Sequence, residues 1–373
     1  MTRRFAWSFQ ATLGALGLVG VLHALAREWP DVFALYAVGR TPLAAALPWA
    51  LGALLGLSLG ALLLGARSRL AGAVFVLTAA ILHGVAPSTY HNNYYLLVWC
   101  VGLTAALGDP AYRLGALLRG EIAPDDGRPQ DVYSVGPLVR TLQALLAVVY
   151  LFSVVVKLSH PWWQGTGRVV RYLVTERAPA HDPGLLQALL RPLLALPGAP
   201  VLAELAVVLT EILLPPGLAW GPTRRAALVV GVAMHTVMHA WLFPQLFTFL
   251  MLGLYAAWTP CDDRGLTVRL HPAHRVHGWL QGALGSLDWA GRCRVEALDL
   301  PGPLRVSPSP GLEHRGPAAW VSLAARLPVA LVAWAVVSLS LPATLCGVPR
   351  AAVDNAATIG VLTMALWGRG RRG

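Results

Sequence analysis

Lysine and arginine together number 29 in this chain, and only one of them, Lys157, is a lysine. Arginine serves as a solvated positive charge as well as lysine does, but its guanidinium stays protonated. A lysine amine sheds its proton more readily when buried and can then act as a base. Lys157 closes an apolar run of membrane length, and an ionisable side chain at membrane depth points to function. A lysine at a helix end also has a plainer use, in which the stem lies along apolar surface and the ammonium snorkels to the headgroups.

The neighbours of Lys157 narrow the chemistry. Tyr150 and Gln143 precede it in steps of seven residues, nearly two helical turns, so the three share one face. Ser153 lies beside that stripe. Lipid would leave such groups unsatisfied, so the face must turn toward a bundle or a cavity. Hydrogen bonding between helices accounts for Gln143 and Ser153 equally well. Glu204 and Glu211, again seven apart, put two carboxylates on one face of the next apolar run. Each needs a proton or a partner there, and Lys157, Arg140 and His235 are the candidates.

His235 and His239 stand four apart, on one face of a further apolar run. That spacing can hold a metal. No acid lies between them and no third ligand is evident, so they read as buried hydrogen-bonding groups and no metal is expected. The stretch Tyr90-His91-Asn92-Asn93-Tyr94-Tyr95 is a short turn dense in polar groups. It is either an interfacial turn or the roof of the cavity into which Lys157 points. His160-Pro161-Trp162-Trp163 is an aromatic cluster of the kind that anchors at headgroup level.

The elements that must position these residues are membrane helices. Hydrophobic residues make up 56% of the chain, charged residues 13%, and the mean hydropathy is +0.59, which excludes an ordinary soluble domain. The formal net charge of +11 comes from arginines near the ends of apolar runs. Such placement sets topology and gives no sign of a nucleic-acid partner. A span needs about 20 mostly apolar residues. By that rule the spans fall near 8–27, 43–64, 70–87, 93–108, 138–157, 199–219, 225–242, 244–259, 321–343 and 351–367.

The expected fold is therefore all-α, a polytopic transmembrane bundle of nine or ten spans in a bacterial-type cell membrane. Arg3, Arg4, Arg67, Arg69, Arg224, Arg225, Arg369, Arg371 and Arg372 fall on one side in alternation, which makes both termini cytoplasmic. Three regions follow: a membrane core over 1–259 with an external loop at 158–198, a cytoplasmic loop over 260–320, and two C-terminal helices with a basic tail over 321–373. Four cysteines, Cys100, Cys261, Cys293 and Cys346, form no CxxC pair, and a Cys100–Cys346 disulfide is conceivable.

Three segments resemble the HTTM family, the family of the vitamin K-dependent gamma-carboxylase. One is Gln143…Tyr150…Lys157-Leu158…Trp162-Trp163-Gln164-Gly165. The second is Glu211 in its apolar helix, and the third is His235 followed by Phe243-Pro244-Gln245-Leu246-Phe247 and Met251. His91-Asn92-Asn93-Tyr94-Tyr95-Leu96 is a looser match. The resemblance covers roughly residues 5–260. It implies that Lys157 is the base that deprotonates a reduced quinone of the vitamin K or menaquinol type, with His235 a second catalytic residue. Oxygen would then attack, and the strong base so formed would drive carboxylation of a substrate. His91 or Asn93 would orient the quinone oxygen, and Gln143, Tyr150, Trp162, Glu211 and His239 complete the expected quinone-binding set. The partners implied are membrane lipid and quinone.

The carboxylase also carries a large lumenal domain that grips its substrate, and the stretch 260–320 is much shorter. That stretch has a likeness of its own. Leu266-Thr267-Val268-Arg269-Leu270, then Leu287-Asp288-Trp289-Ala290-Gly291-Arg292 and Val295-Glu296-Ala297-Leu298, resemble a shrunken thioredoxin-like module. The cysteine pair such a module carries near its start is missing, and His271 and His274 stand in that neighbourhood. The other reading is a Pro/Gly-rich linker with one helix. Two further functions use the same scaffold: a quinone- or lipid-binding protein without turnover, and a transporter that relays protons through Glu204, Glu211 and Lys157.

Overall fold

The computed structural model describes residues 3–89, 92–108, 112–115, 130–159, 165–172, 191–242, 246–258, 266–271, 293–297, 303–309, 312–316, 319, 344–345 and 348–349. They are mostly helical. Among them, five helices are long and apolar enough to cross a membrane: Phe9–Ala37, Pro42–Leu64, Ser68–Val85, Leu138–Ser159 and Ala199–Ala219. Two shorter apolar helices, Tyr94–Leu107 and Leu246–Trp258, accompany them. The expected spans at 321–343 and 351–367 lie outside the described residues.

The chain divides into two compact units, residues 1–141 with 259–339 and residues 142–258 with 340–373. In the first unit, α1 (Arg3–His23) passes through a π-helical turn at Ala24–Glu28 into α2 (Trp29–Ala37). The expected break after residue 27 does not occur. Trp29 and Phe33 are fully buried, and Phe33 meets Trp49 edge-on at 5.0 Å, so continuing the helix buries two large rings. Tyr94 donates a hydrogen bond to the Glu28 carboxylate at 2.9 Å, which gives the acid at the π turn a partner. Helix α3 (Pro42–Leu64) starts with Thr41 as its cap and Pro42 in the first turn, and it stops at Gly65 with φ of 76°. Helices α4 (Ser68–Val85) and α5 (Asn92–Leu107) pack in sequence against their neighbours.

The first unit also holds a four-stranded sheet, which an all-α chain would lack. Strands β1 (Leu266–Leu270), β2 (Cys293–Ala297), β3 (Arg305–Ser309) and β4 (Leu312–Arg315) lie in the order β2-β1-β3-β4. β1 and β2 are parallel, while β3 runs antiparallel to both β1 and β4. Val268 and Val306 are buried and the arginines alternate with them. The parallel pair brings together strands distant in the sequence, while β3 and β4 are consecutive antiparallel neighbours. The linker reading foresaw one helix and none of these paired strands.

In the second unit, the long helix α6 (Gln130–Ser159) contributes its residues from Leu142 onward. A short helix α7 (Arg168–Tyr172) packs on α8 (Ala199–Ala219), α8 on α9 (Gly221–Leu242), and α9 on α10 (Leu246–Tyr255). The faces of α6 are inverted relative to a soluble helix. Leu151, Phe152 and Val155 are exposed, whereas Tyr150 is buried and Lys157 is 12% exposed. Apolar residues outward and polar residues inward is the arrangement hydrocarbon surroundings demand. A two-stranded pairing, β5 (Thr344–Leu345) with β6 (Val348–Pro349), also belongs to this unit.

Candidate functional site

The stripe on α6 and the carboxylate on α8 meet. Lys157 Nζ donates to both oxygens of Glu211, each at 2.7 Å, and to the Ser153 hydroxyl at 2.5 Å. Ser153 in turn donates to Glu211 Oε1 at 3.2 Å. Glu211 is buried, its side chain 4% exposed, and Lys157 is part-buried at 12%. Of the three partners expected for a carboxylate in this helix, Lys157 is the one that takes Glu211. Seven-residue spacing on α6 and on α8 supplies both sides of the contact, because it keeps each polar group on the inward face.

Nearly two turns before Lys157 on α6, the Tyr150 hydroxyl lies 2.7 Å from Nε2 of His235 on α9 and also meets the Tyr255 hydroxyl of α10. All three side chains are buried. Their rings, with that of Phe247, enclose His235 at centroid distances near 6 Å (Tyr150 6.0, Phe247 5.9, Tyr255 6.0). Nδ1 of His235 has no hydrogen-bond partner among the described residues. Gly231, one turn before His235, makes the arrangement possible. A Cβ at this position would run into the Tyr255 hydroxyl.

The remaining expected site residues have other roles or fall elsewhere. Gln143 donates from Nε2 to the Ala257 carbonyl at 2.7 Å, tying the end of α10 to α6. This is the helix–helix hydrogen bond that the sequence also allowed. His239 is buried, with its ring edge-on to Phe249 at 5.1 Å. Among the described residues no group of three or more His, Cys, Asp or Glu is placed to hold a metal ion. His91 and Trp162 lie outside the described residues, and only the backbone of Asn93, at the start of α5, is described. Cys100 is buried on α5, while Cys346 lies outside the described residues.

Glu204 has a task of its own. Its carboxylate, 1% exposed, accepts from the backbone N–H groups of Gly167 at 2.8 Å and Val169 at 3.0 Å. It thereby satisfies donors at the start of α7, which otherwise have no intrahelical partner. Gly167 has φ of 69°, and a Cβ there would strike Pro200 and Val201, so only glycine allows this approach to α8.

Two members of the site were not among the residues singled out in the sequence. They are Tyr255, which sits in an apolar run, and Gly231. The usable signal was Gly231 four residues before His235, a gap on the same face as the histidine. Compared with family models, with curated proteins and with solved structures, the chain matches none.

Proposed function

We propose that the second unit is a proton-transfer centre in a bacterial-type cell membrane, acting on a reduced quinone with Lys157 as the base. The observation that carries this reading is the buried, bidentate contact between Lys157 and Glu211. In an apolar bundle both charges of an ion pair have lost their water. The direct contact gives a proton a short path from the amine to the carboxylate, which is what a lysine acting as a base requires. The bare amine of Lys157 is the base, and Glu211 stores the proton it gave up. Ser153 bridges the two groups and keeps the amine aligned in either form. Arginine cannot take part in such an exchange, because it does not lose its proton.

The residues present fit a phenolic partner. His235 Nδ1 is buried without a hydrogen-bond partner among the described residues, and Lys157 lies seven residues along α6 from Tyr150, which bonds His235. A reduced quinone supplies an acidic hydroxyl and, with molecular oxygen as the acceptor, two electrons. The chain's part is to orient that hydroxyl, receive its proton at Lys157 and keep bulk water away. Coupling to carboxylation, orientation with both termini in the cytoplasm, and membership of the HTTM family rest on the sequence likeness and the arginine pattern. The sheet over 266–315, with its parallel pair and hairpin and no CxxC anywhere in the chain, is read as a thioredoxin-like module without thiol chemistry.

Lys157→Arg tests the reading, because it keeps the charge and the stem but removes the base. Membranes carrying this variant should oxidise a reduced short-chain quinone at least about 100-fold more slowly than those with the parent chain. An unchanged rate sinks the base assignment. A parent chain that binds the quinone but gives no oxidation above membranes lacking the protein would replace the enzyme reading with a binding one.

A further inference from the structure

Tyr150, Tyr255 and His235 pose a problem of proton counting. The Tyr150 oxygen touches both His235 Nε2 and the Tyr255 hydroxyl, yet its single proton can be donated only once. If Tyr150 donates to Tyr255, it must accept from an Nε2–H of His235, and Nδ1 is then bare. If Tyr150 donates to Nε2 instead, the ring proton sits on Nδ1. The direction of one phenol–phenol hydrogen bond therefore fixes the tautomer of the histidine. The nitrogen whose character it decides, Nδ1, is the one buried with no partner among the described residues.

We infer that Tyr255 is a positioning residue that holds His235 as the Nε2–H tautomer and so presents Nδ1 as a proton acceptor for a hydroxyl-bearing ligand. Of the two directions, donation from Tyr150 to Tyr255 leaves Nδ1 a bare acceptor, whereas the reverse buries a ring N–H with no partner among the described residues, the costlier orphan. Three features hold this geometry. Gly231 leaves room on α9 for the Tyr255 hydroxyl, and Gln143 pins the far end of the same segment through the Ala257 carbonyl at 2.7 Å. His235, Tyr150 and Tyr255 are each at most 3% exposed, so water is not at hand to substitute for a missing hydroxyl. A phenolic or alcoholic hydroxyl is the ligand class that fits, because it donates to a bare imidazole nitrogen. An amide or carbonyl oxygen would require the opposite tautomer. The inference deepens the proposed quinone chemistry and rests on that reading for its ligand, but the tautomer itself does not depend on turnover.

The test is nitrogen NMR on the full chain in detergent micelles, labelled with 15N-histidine. A His235→Gln variant identifies the His235 signals among those of the 11 histidines. In the parent, the N–H should be at Nε2 and the bare nitrogen at Nδ1. Tyr255→Phe removes only a hydroxyl. Tyr150 then has no acceptor but Nε2, so the proton should move to Nδ1 and the two assignments exchange. Gly231→Ala, which displaces the Tyr255 hydroxyl without altering the tyrosine, should give the same exchange. A parent with its proton on Nδ1, or a Tyr255→Phe variant with the parent's tautomer, overturns the inference. Where the parent oxidises a reduced quinone, both variants should slow it about tenfold or more, less than the roughly 100-fold that loss of an acid–base group takes away, because the imidazole itself remains. A parent without turnover counts against the proposed function alone, since the tautomer exchange is read either way.

Discussion

The chain places charged side chains together in two very different settings. On the sheet of the first unit, Arg269, Arg305 and Arg315 stand opposite one another across three strands, a row of like charges that would repel. Glu296 meets Arg269 at 2.9 Å and Glu313 meets Arg315 at 2.6 Å, with Arg305 3.8 Å and Arg269 3.9 Å from Glu313. Water reaches most of these groups, so each could lose a partner and be resolvated. In the second unit, Lys157 and Glu211 make a comparable contact at 2.7 Å with almost no access to water. The chemistry of the contact is the same, but the consequence of losing it is not. An exposed network contributes little because solvent competes with it. In a buried pair, removing one member strands the other's charge away from water.

The contrast is broken most sharply by removing one member of the buried pair. Lys157→Met should destabilise the helical unit by about 3–5 kcal/mol, since Glu211 is left without its counter-charge. The double replacement Lys157→Met with Glu211→Leu should recover most of that loss. Thermal unfolding in detergent measures both, and a double variant no more stable than the single one contradicts the account. A smaller loss, about 1–3 kcal/mol, is expected for Glu204→Gln, whose amide can accept only at its oxygen where the carboxylate accepts two backbone bonds. Proteolysis near residues 165–172 should quicken in that variant, and unchanged cleavage there would argue against the anchoring role.

The sheet gives the smallest effects. A double-mutant cycle on Arg269 and Glu296, with side chains 42% and 36% exposed, should return about 0.2–1 kcal/mol. Glu313 sharpens the comparison through pH. Its hydrogen bond from Arg315 holds its carboxyl below the usual range, with the charges of Arg315, Arg305 and Arg269 adding to that. A depressed value means that the contribution is complete above the ordinary carboxylate pKa and is lost as pH falls through the folded one. Acid titration should therefore weaken the sheet slightly in the parent and not in Glu313→Gln. Equal acid sensitivity in the two would assign the effect elsewhere.

Much of this was legible in advance because membrane segments obey a strict rule. With every lipid-facing position apolar, any polar residue at seven-residue spacing had to turn inward, and so Tyr150, Lys157 and Glu211 announced themselves. The first helix ran past residue 27 because Trp29 and Phe33 gain burial against α3, a gain that hydropathy of the span alone does not register. The sheet was half visible, as short β-rich runs without the expected cysteines. Its strand order depends on long-range pairing that no local pattern fixes.

The amino-acid sequence by itself settled that helices long and apolar enough to span a membrane carry a few inward-facing ionisable groups, because the energy of a polar group in hydrocarbon is a property of residue type and helical period. Only the tertiary structure decided the partners. Glu204 and Glu211 are the same residue on the same face of one helix, yet the first anchors a backbone and the second holds the lone lysine. That choice depends on where α6 and α7 pack against α8, and on a missing side chain at Gly231 that gives Tyr255 its place. Such contacts join residues 54 and 105 positions apart in the chain, a distance over which periodicity carries no information.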